Sequence, residues 1–284
     1  MNEYTRSLYV YILIAFLGLA MILMKKSETL RFGSSVEITE NEIMDHIRYL
    51  SHEDRAGRFP GTRESKDVIS YLIRHFKSYG VKPGGENGSY VQPFNITDGI
   101  ELGANNSMTM GDSSLTIHSD YIPLWFSGND SVSASAVFAG YGFTIDEKEL
   151  KWNDYADLDV SGKWVIMMRH SPERNNQHSL YTSHSGLHKK MLVARDNGAV
   201  GVIFVSQVED TDLYPLRYIS GYKNAGIPAI HLSNEMADHL FKTVGWSRET
   251  IQETMNQSLE PIAFNLTAVT INASVELIPI QMRA

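Results

Sequence analysis

The sequence contains no cysteine, and this absence excludes several classes of site. Disulfide bonds, cysteine-ligated zinc, thiol catalysis and the lipidated cysteine of bacterial lipoproteins all require a residue that the chain does not have. Basic charge is also scarce, since 25 Lys and Arg stand against 33 Asp and Glu, for a net charge of −8. The paired lysines, Lys25-Lys26 and Lys189-Lys190, are too few for the basic footprint that nucleic acid requires. We therefore expect no nucleic acid partner.

Two common catalytic and cofactor motifs are also missing. Gly140-Tyr141-Gly142 lacks the third glycine and the following helix of a dinucleotide fingerprint, so it indicates a tight turn in a β-domain. The Gly-x-Ser-x-Gly pattern of a nucleophile elbow does not occur. The sequence therefore predicts no nucleotide cofactor and no recognisable serine nucleophile.

An apolar segment, Leu8–Met24, stands near the amino terminus and contains no charge. Its 17 residues exceed the roughly 7–15 of a signal peptide core and reach the roughly 17–25 of a spanning helix. We therefore predict a transmembrane signal anchor. Cleavage after the small residues around Ala20 is the alternative, and it would give a secreted protein.

The rest of the chain alternates strand and helix patterns. Short apolar runs at Val137–Ala139, Trp164–Met168 and Val200–Val205 have the length of buried strands, and Leu187–Asp196 has the pattern of a helix. A capping box at Thr39 opens an earlier helix. The composition of the stretch from Ser127 to Ser135, rich in Gly, Asn, Asp and Ser, predicts a linker.

Three segments carry a family resemblance: DVSGKWVIMM at 159–168, ARDNGAVGVIFV at 194–205 and GIPAIHLS at 226–233. In this order and spacing they resemble the protease-associated (PA) domain of family-28 zinc aminopeptidases. The segment AGRFPGT at 56–62 resembles the start of the catalytic domain in the same peptidases. The resemblance implies an α/β (α+β) fold. In it, a PA-type β-sandwich or open barrel with flanking helices is inserted in an incomplete α/β zinc-peptidase-like domain.

The resemblance also implies a division of the chain into four parts. These are a signal anchor at 1–26, the N-terminal part of a peptidase-like domain at 27–124, a PA domain at 125–258 and return strands at 259–284. The flanks of the inserted domain must then meet in space, so we expect strands within Tyr90–Met110 to pair with strands within Phe264–Ile280.

The catalytic ligands of the family follow the PA domain, and no matching residues exist in this sequence, so no catalytic, cofactor-binding or metal residue is assigned. Three local patterns are weaker candidates: His52-Glu53-Asp54, His118-Ser119-Asp120, and His184 with His188 near His178. The first is interpreted as a solvated loop and the second as a strand-end turn. The spacing of His184 and His188 can place two ligands on one helix face, but no carboxylate completes the site.

The sequence thus predicts a membrane-tethered PA-domain protein that lacks the zinc of complete family members and is inactive alone. A protein or peptide is the expected partner, and Leu8–Met24 provides the membrane contact. Charges beside the span slightly favour a cytoplasmic body. The family resemblance favours an extracytoplasmic body, periplasmic or extracellular, and receives more weight. A stand-alone PA module for protein or peptide binding is the alternative function.

Overall fold

A computed structural model describes residues 38–210, 213–221, 224 and 226–284. The predicted span Leu8–Met24 lies outside these residues. No helix in the described part of the chain is long and apolar enough to cross a membrane. The chain divides into two compact units at the peptide bond between Gln92 and Pro93, and each unit is described by itself.

Within residues 38–92, the described part of the first unit, the α-helices are α1 (Glu40–Ser51) and α2 (Arg63–Ser78). The capping box at the start of α1 is confirmed, because Thr39 and Glu42 exchange the expected side-chain hydrogen bonds. Aromatic contacts join the two helices: the rings of Tyr49 and Tyr71 stack 3.8 Å apart. Several apolar side chains of this unit are exposed, namely Ile43, Met44, Ile47, Leu72 and Phe76.

The second unit is mostly β-structure. Its strands are β1 (Asn95–Leu102), β2 (Ser107–Met110), β3 (Ser113–Leu115), β4 (Tyr121–Pro123), β5 (Asp130–Ala139), β6 (Thr144–Asp146), β7 (Lys151–Asn153), β8 (Trp164–Met168), β9 (Gly201–Val205), β10 (Ala229–Leu232), β11 (Ala263–Val275) and β12 (Leu277–Arg283). Its α-helices are α3 (Leu187–Asp196), α4 (Asn234–Lys242) and α5 (Arg248–Ser258). The predicted bounds of β8 and α3 are confirmed.

Eight of these strands form one mixed sheet in the order β3-β2-β11-β5-β8-β9-β10-β4. Strands β5, β8, β9 and β10 run parallel, and antiparallel strands flank them on both sides. A bridge between Ile117, just after β3, and Tyr121 of β4 brings the two edges together. The sheet is therefore barrel-like and nearly closed.

The central strands are buried on both faces, which explains why they are continuous apolar runs. Along β8, Trp164, Ile166 and Met168 pack into one core with helices α4 and α5. Val165 and Met167 point to the opposite face and pack into a second core with helix α3. The end of β8 is thus held between two helical layers.

The linker predicted from Ser127 to Ser135 is wrong, because β5 begins at Asp130. From Asp130 onwards, the polar residues lie on a sheet surface rather than in a loop. The hydroxyl of Ser131 donates to Ser274 at 2.8 Å across the ladder with β11. Polar cross-strand pairs of this kind stabilise an exposed strand face without any apolar residue.

The expected pairing of the two flanks is confirmed. Strand β1 pairs with β12, and β2 pairs with β11, both antiparallel. Strands β1 and β12 form a two-stranded sheet. Asn129, just before β5, links this sheet to the eight-stranded one, because its side chain accepts from the amide of Leu277 and donates to the carbonyl of Leu277, both at 2.9 Å. Strands β1 and β2 therefore belong to the same compact unit as the rest of the β-structure.

Candidate functional site

Polar residues collect where the parallel strands end. Arg169 and His170 follow β8, Ser206 follows β9, and Ser233 follows β10. The carboxyl ends of parallel strands lie at one edge of a sheet, and this edge is where open α/β sheets bind ligands. This edge is therefore the candidate site.

Asp210 is the central anion of the edge. Its two carboxylate oxygens accept hydrogen bonds from Nη1 and Nη2 of Arg174 at 3.1 and 3.0 Å. His170 Nε2 lies 3.0 Å from Oδ2, and Arg169 Nη1 lies 3.9 Å from it. Burial alone would raise the pKa of Asp210, but these donors and positive charges lower it. Asp210 therefore stays ionised and is shared by two guanidinium groups.

His170 itself is neutral at neutral pH. Burial lowers the pKa of its imidazole, and the positive charges of Arg174 and Arg169 lower it further, against the opposing effect of Asp210. The positive charge of this edge therefore comes from the arginines.

Ser206 and His231 form a buried pair that resembles a nucleophile and its base. Oγ of Ser206 lies 2.9 Å from Nε2 of His231, and Nδ1 of His231 accepts from the backbone N–H of Tyr214 at 2.9 Å. An imidazole whose Nδ1 accepts carries its proton on Nε2, so Nε2 donates to the serine oxygen. Burial lowers the pKa of His231 to about 3. His231 therefore cannot take the proton of Ser206, and the pair positions the Tyr214 segment instead.

Lys190 on helix α3 is fully enclosed, with 1% of its surface exposed. Its ammonium donates to the carbonyl of Met168 at 2.9 Å and to the carbonyl of His170, and lies 4.7 Å from the ring centre of Phe143. Burial lowers its pKa well below the ordinary value, against the opposing charge of Asp154. Lys190 thus ties the end of β8 to helix α3.

Asp154 is the buried carboxyl that influences Lys190 through its charge. Its Oδ2 accepts the backbone N–H of Phe143 at 2.8 Å, whereas Oδ1 has no hydrogen-bond partner among the described residues. Burial raises the pKa of this carboxyl to about 7, against the hydrogen bonds that lower it. Gly140 makes room for it, since a Cβ there would lie 2.2 Å from Oδ1. This contact and a φ of +45° explain one glycine of the Gly-Tyr-Gly turn.

A cleft of about 530 Å³ opens beside this edge. Trp125 and Tyr214 provide aromatic surface, and Arg169, Lys189 and Arg217 provide positive charge. The guanidinium of Arg217 lies 5.2 Å from the ring centre of Tyr214 and 5.8 Å from that of Trp125. The guanidinium of Arg169 lies 4.5 Å from the ring centre of Tyr214. The volume is within the range of ligand-binding pockets, roughly 300–1,000 Å³.

The histidine patterns noted in the sequence lie apart from one another. His184 belongs to a 3-10 turn and binds Glu147 at 3.0 Å, whereas His188 lies in helix α3, which begins only at Leu187. His184 and His188 therefore do not share a helix face, because Gly186 separates the two elements, and the predicted helix Leu187–Asp196 contains only His188. His188 does line the cleft.

One His-x-Asp pattern lies at the start of a 3-10 helix, and the other lies in a turn. His52 caps a 3-10 helix by accepting from Asp54 N. Asp120 accepts from Thr116 N at 2.7 Å, and His118 lines a cavity of about 170 Å³ together with His231. Within the described residues, no three His, Cys, Asp or Glu side chains are grouped to hold a metal ion.

Comparison with known proteins identifies the fold around the cleft. The PA domain family matches residues 131–240. Residues 131–240 form a PA domain. All the cleft residues named above except Trp125 lie within this match. No curated protein matches the chain.

Several solved structures are similar to parts of the chain. An aminopeptidase from Aneurinibacillus sp. strain AM-1 is 18% identical, with 79% of this chain and 42% of that chain covered and a TM-score of 0.43. A zinc aminopeptidase from Bacillus subtilis is 16% identical, with 84% and 44% covered and a TM-score of 0.38. A peptidase M28 precursor from Shewanella amazonensis is 16% identical, with 83% and 48% covered and a TM-score of 0.36. The chain spans less than half the length of these three proteins.

Sequence reasoning missed the polar edge of the PA domain. Arg169, Asp210 and His231 share no motif and are separated by tens of residues, so only the strand order brings them together. The usable signal was their position, since Arg169 and Ser206 directly follow apolar runs of strand length. The burial of Lys190 also had a signal in the sequence, since Lys190 lies beside Met191 and four residues before Ala194, which are both on the buried face of α3.

Proposed function

We propose that this chain is a membrane-tethered PA-domain protein that binds polypeptide in the cleft of its PA domain. In this proposal it corresponds to the N-terminal, non-catalytic portion of a family-28 zinc aminopeptidase. The observation that carries the proposal is the match of residues 131–240 to the PA domain, whose surface contains the cleft.

The shape and lining of the cleft support a role in binding. Aromatic and aliphatic side chains line it together with several polar and charged ones, and such groups can fix the orientation of a ligand. The Ser206–His231 pair does not supply an activated nucleophile, because the imidazole donates to the serine. We therefore propose recognition rather than hydrolysis as the work of the chain.

The resemblance of residues 56–62 to the start of the peptidase domain supports the relation to aminopeptidases. Helices α1 and α2 flank this segment in the first unit, as the resemblance implies. In the proposal, Leu8–Met24 anchors the chain and the body lies outside the cytoplasm, periplasmic or extracellular.

Titration calorimetry with pooled apolar peptides of four to six residues tests the binding proposal. Gly186 lines the cleft and a Cβ added there meets nothing within 4 Å, so Gly186→Trp places a ring at the cleft without a clash at Cβ. We expect this variant to lose binding. The control Gly84→Trp also adds a ring where a Cβ meets nothing, at a residue that does not line the cleft, and it keeps binding.

The recovered peptides provide the second readout of the same experiment. We expect them to be intact after incubation with zinc. Peptide binding that Gly186→Trp leaves unchanged, or the absence of binding to every peptide, would refute the cleft as the site. Zinc-dependent cleavage would refute the non-catalytic assignment.

A further inference from the structure

Positive charge collects at the cleft of a chain whose net charge is −8. Arg169, Lys189 and Arg217 line the cleft, and none of the described residues that line it is Asp or Glu. The charge of the cleft is thus opposite to that of the whole chain. Such a local reversal attracts anionic groups to one place on an otherwise acidic protein.

The charges of these cations are poorly balanced by the protein itself. Arg169 shares Asp210 with Arg174, which takes both carboxylate oxygens, and the buried Nε of Arg169 has no hydrogen-bond partner among the described residues. The ammonium of Lys189 donates to the carbonyl of Ser183 at 3.2 Å, and a carbonyl carries no formal charge. Within the described residues, the formal charges of Arg169 and Lys189 are therefore only partly compensated.

Arg217 is the accessible cation of the set. Its side chain is exposed, and no carboxylate in the described part of the chain lies within ion-pair distance of it. Its guanidinium rests near the rings of Trp125 and Tyr214, which orients its donors without neutralising their charge. Arg217 therefore has its hydrogen-bonding capacity for anions available.

The start of helix α3 adds to the positive potential. Gly186 is its N-cap and makes no side-chain capping bond, and Gly186, Leu187 and Lys189 all line the cleft. The positive end of the helix dipole therefore opens towards the same space as the three cations. Trp125, Leu187 and Leu192 provide apolar surface beside it.

We propose that the cleft recognises a carboxylate group of the bound polypeptide, held near Arg169, Lys189 and Arg217, with an apolar side chain of the ligand against Trp125 and Leu192. This inference rests on the proposed peptide-binding function and adds the chemistry of recognition. The carboxylate comes either from a free carboxyl terminus or from an Asp or Glu side chain. Guanidinium groups pair with both through the same two-pronged hydrogen bonds.

Four peptides separate these sources in calorimetric titrations of the full chain, kept in a mild detergent because of its apolar segment. The first is Ac-Trp-Leu-Phe-Leu with a free carboxyl terminus, and the second is the same peptide amidated. The third and fourth are amidated peptides with Asp or Asn inserted before the final Leu. For each carboxylate-bearing peptide that the chain recognises, we expect an affinity about tenfold higher than that of its neutral counterpart, because charge-assisted hydrogen bonds are stronger than neutral ones.

Two charge-reversal variants assign the effect to the cleft. Arg217→Glu should weaken binding of the carboxylate peptides about tenfold or more and leave the neutral peptides nearly unchanged, whereas Lys148→Glu makes the same charge change at an exposed lysine that does not line the cleft. Arg217→Lys should retain part of the preference, because an ammonium keeps the charge but not the planar fork. The preference should also shrink as salt is raised from 50 to 500 mM.

The outcomes separate this inference from the proposed function. Equal affinity for charged and neutral peptides, with binding still abolished by Gly186→Trp, overturns carboxylate recognition and keeps peptide binding. Preference for the free terminus alone or for Asp alone identifies the source of the carboxylate. The same loss of affinity in Lys148→Glu as in Arg217→Glu would make the preference a general charge effect and overturn the assignment to the cleft.

Discussion

Two buried titratable groups of the second unit should make stability depend on pH in opposite directions. Asp154 has its pKa raised to about 7, and His231 has its pKa lowered to about 3, both mainly by burial. In the unfolded chain the same groups titrate near their ordinary values of about 3.9 and 6.5. The free energy of unfolding must follow these differences, because protons bind the folded and unfolded states unequally.

Between pH 4 and 7 the folded chain keeps a proton on Asp154 that the unfolded chain has released. The contribution of Asp154 to stability therefore falls as pH rises, by about 1.4 kcal/mol per pH unit and about 4 kcal/mol over the window. For His231 the unfolded chain holds the extra proton between pH 3 and 6.5. Its contribution therefore falls as pH decreases, by about 3 kcal/mol between pH 6.5 and 4.

Differences between variant and wild type isolate each group, since all other titrations cancel. The free energy of unfolding of Asp154→Asn is expected to rise by about 4 kcal/mol relative to that of wild type as pH increases from 4 to 7. The free energy of unfolding of His231→Asn is expected to rise by about 3 kcal/mol relative to that of wild type as pH decreases from 6.5 to 4. Each variant removes one titrating group. A loss of stability that is the same at every pH does not change the slope of the variant-minus-wild-type difference against pH.

Urea unfolding followed by tryptophan fluorescence at half-unit pH steps measures these slopes. All four tryptophans lie in the second unit, so the signal reports its unfolding. Lys190→Met, alone and combined with Asp154→Asn, controls for titration of the buried ammonium. The difference between the double variant and Lys190→Met should have the same pH slope as the difference between Asp154→Asn and wild type. If the free energy of unfolding of Asp154→Asn varied with pH in parallel with that of wild type, the Asp154 carboxyl would titrate as a solvated group, and the reasoning from burial would fail.

Two further predictions concern packing and the membrane. Gly201→Ala should destabilise the second unit by about 1–3 kcal/mol in the same assay, because the added Cβ would lie 2.3 Å from a ring carbon of the buried Trp164. A free energy of unfolding equal to that of wild type would show that the Trp164 site can relax. If Leu8–Met24 is an uncleaved anchor, the full chain should stay in the membrane fraction through carbonate washing, and a soluble product beginning near Met21 would contradict it.

Local signals in the sequence were sufficient for several elements. The capping box at Thr39 and the glycine stop after Asp196 act within one turn of the chain, so the ends they mark could be predicted. Strand β8 could be predicted because burial on both faces requires five apolar residues in succession. These features depend on neighbours in sequence.

Features that depend on neighbours in space could not be predicted in the same way. The start of β5 is polar because that part of the strand is exposed and pairs through side-chain hydrogen bonds with β11. Its composition is that of a loop, so the linker prediction failed. Lys190 and Asp154 are buried against the usual preference of charged residues, and nothing in the sequence states that carbonyls and rings will surround an ammonium.

The two walls of the cleft are held by different means, and this difference bears on how it would bind. One wall joins the end of β8 to the start of helix α3, because Lys190 bonds the carbonyls of Met168 and His170. The other wall contains Tyr214 and Arg217, and the Tyr214 amide bonds to His231 on the sheet. Since the pKa of His231 lies near 3, this acceptor stays available from neutral to mildly acidic pH. A carboxylate ligand that bridges Lys189 and Arg217 would join the two walls, so binding should stiffen the segment around Tyr214 more than the sheet edge.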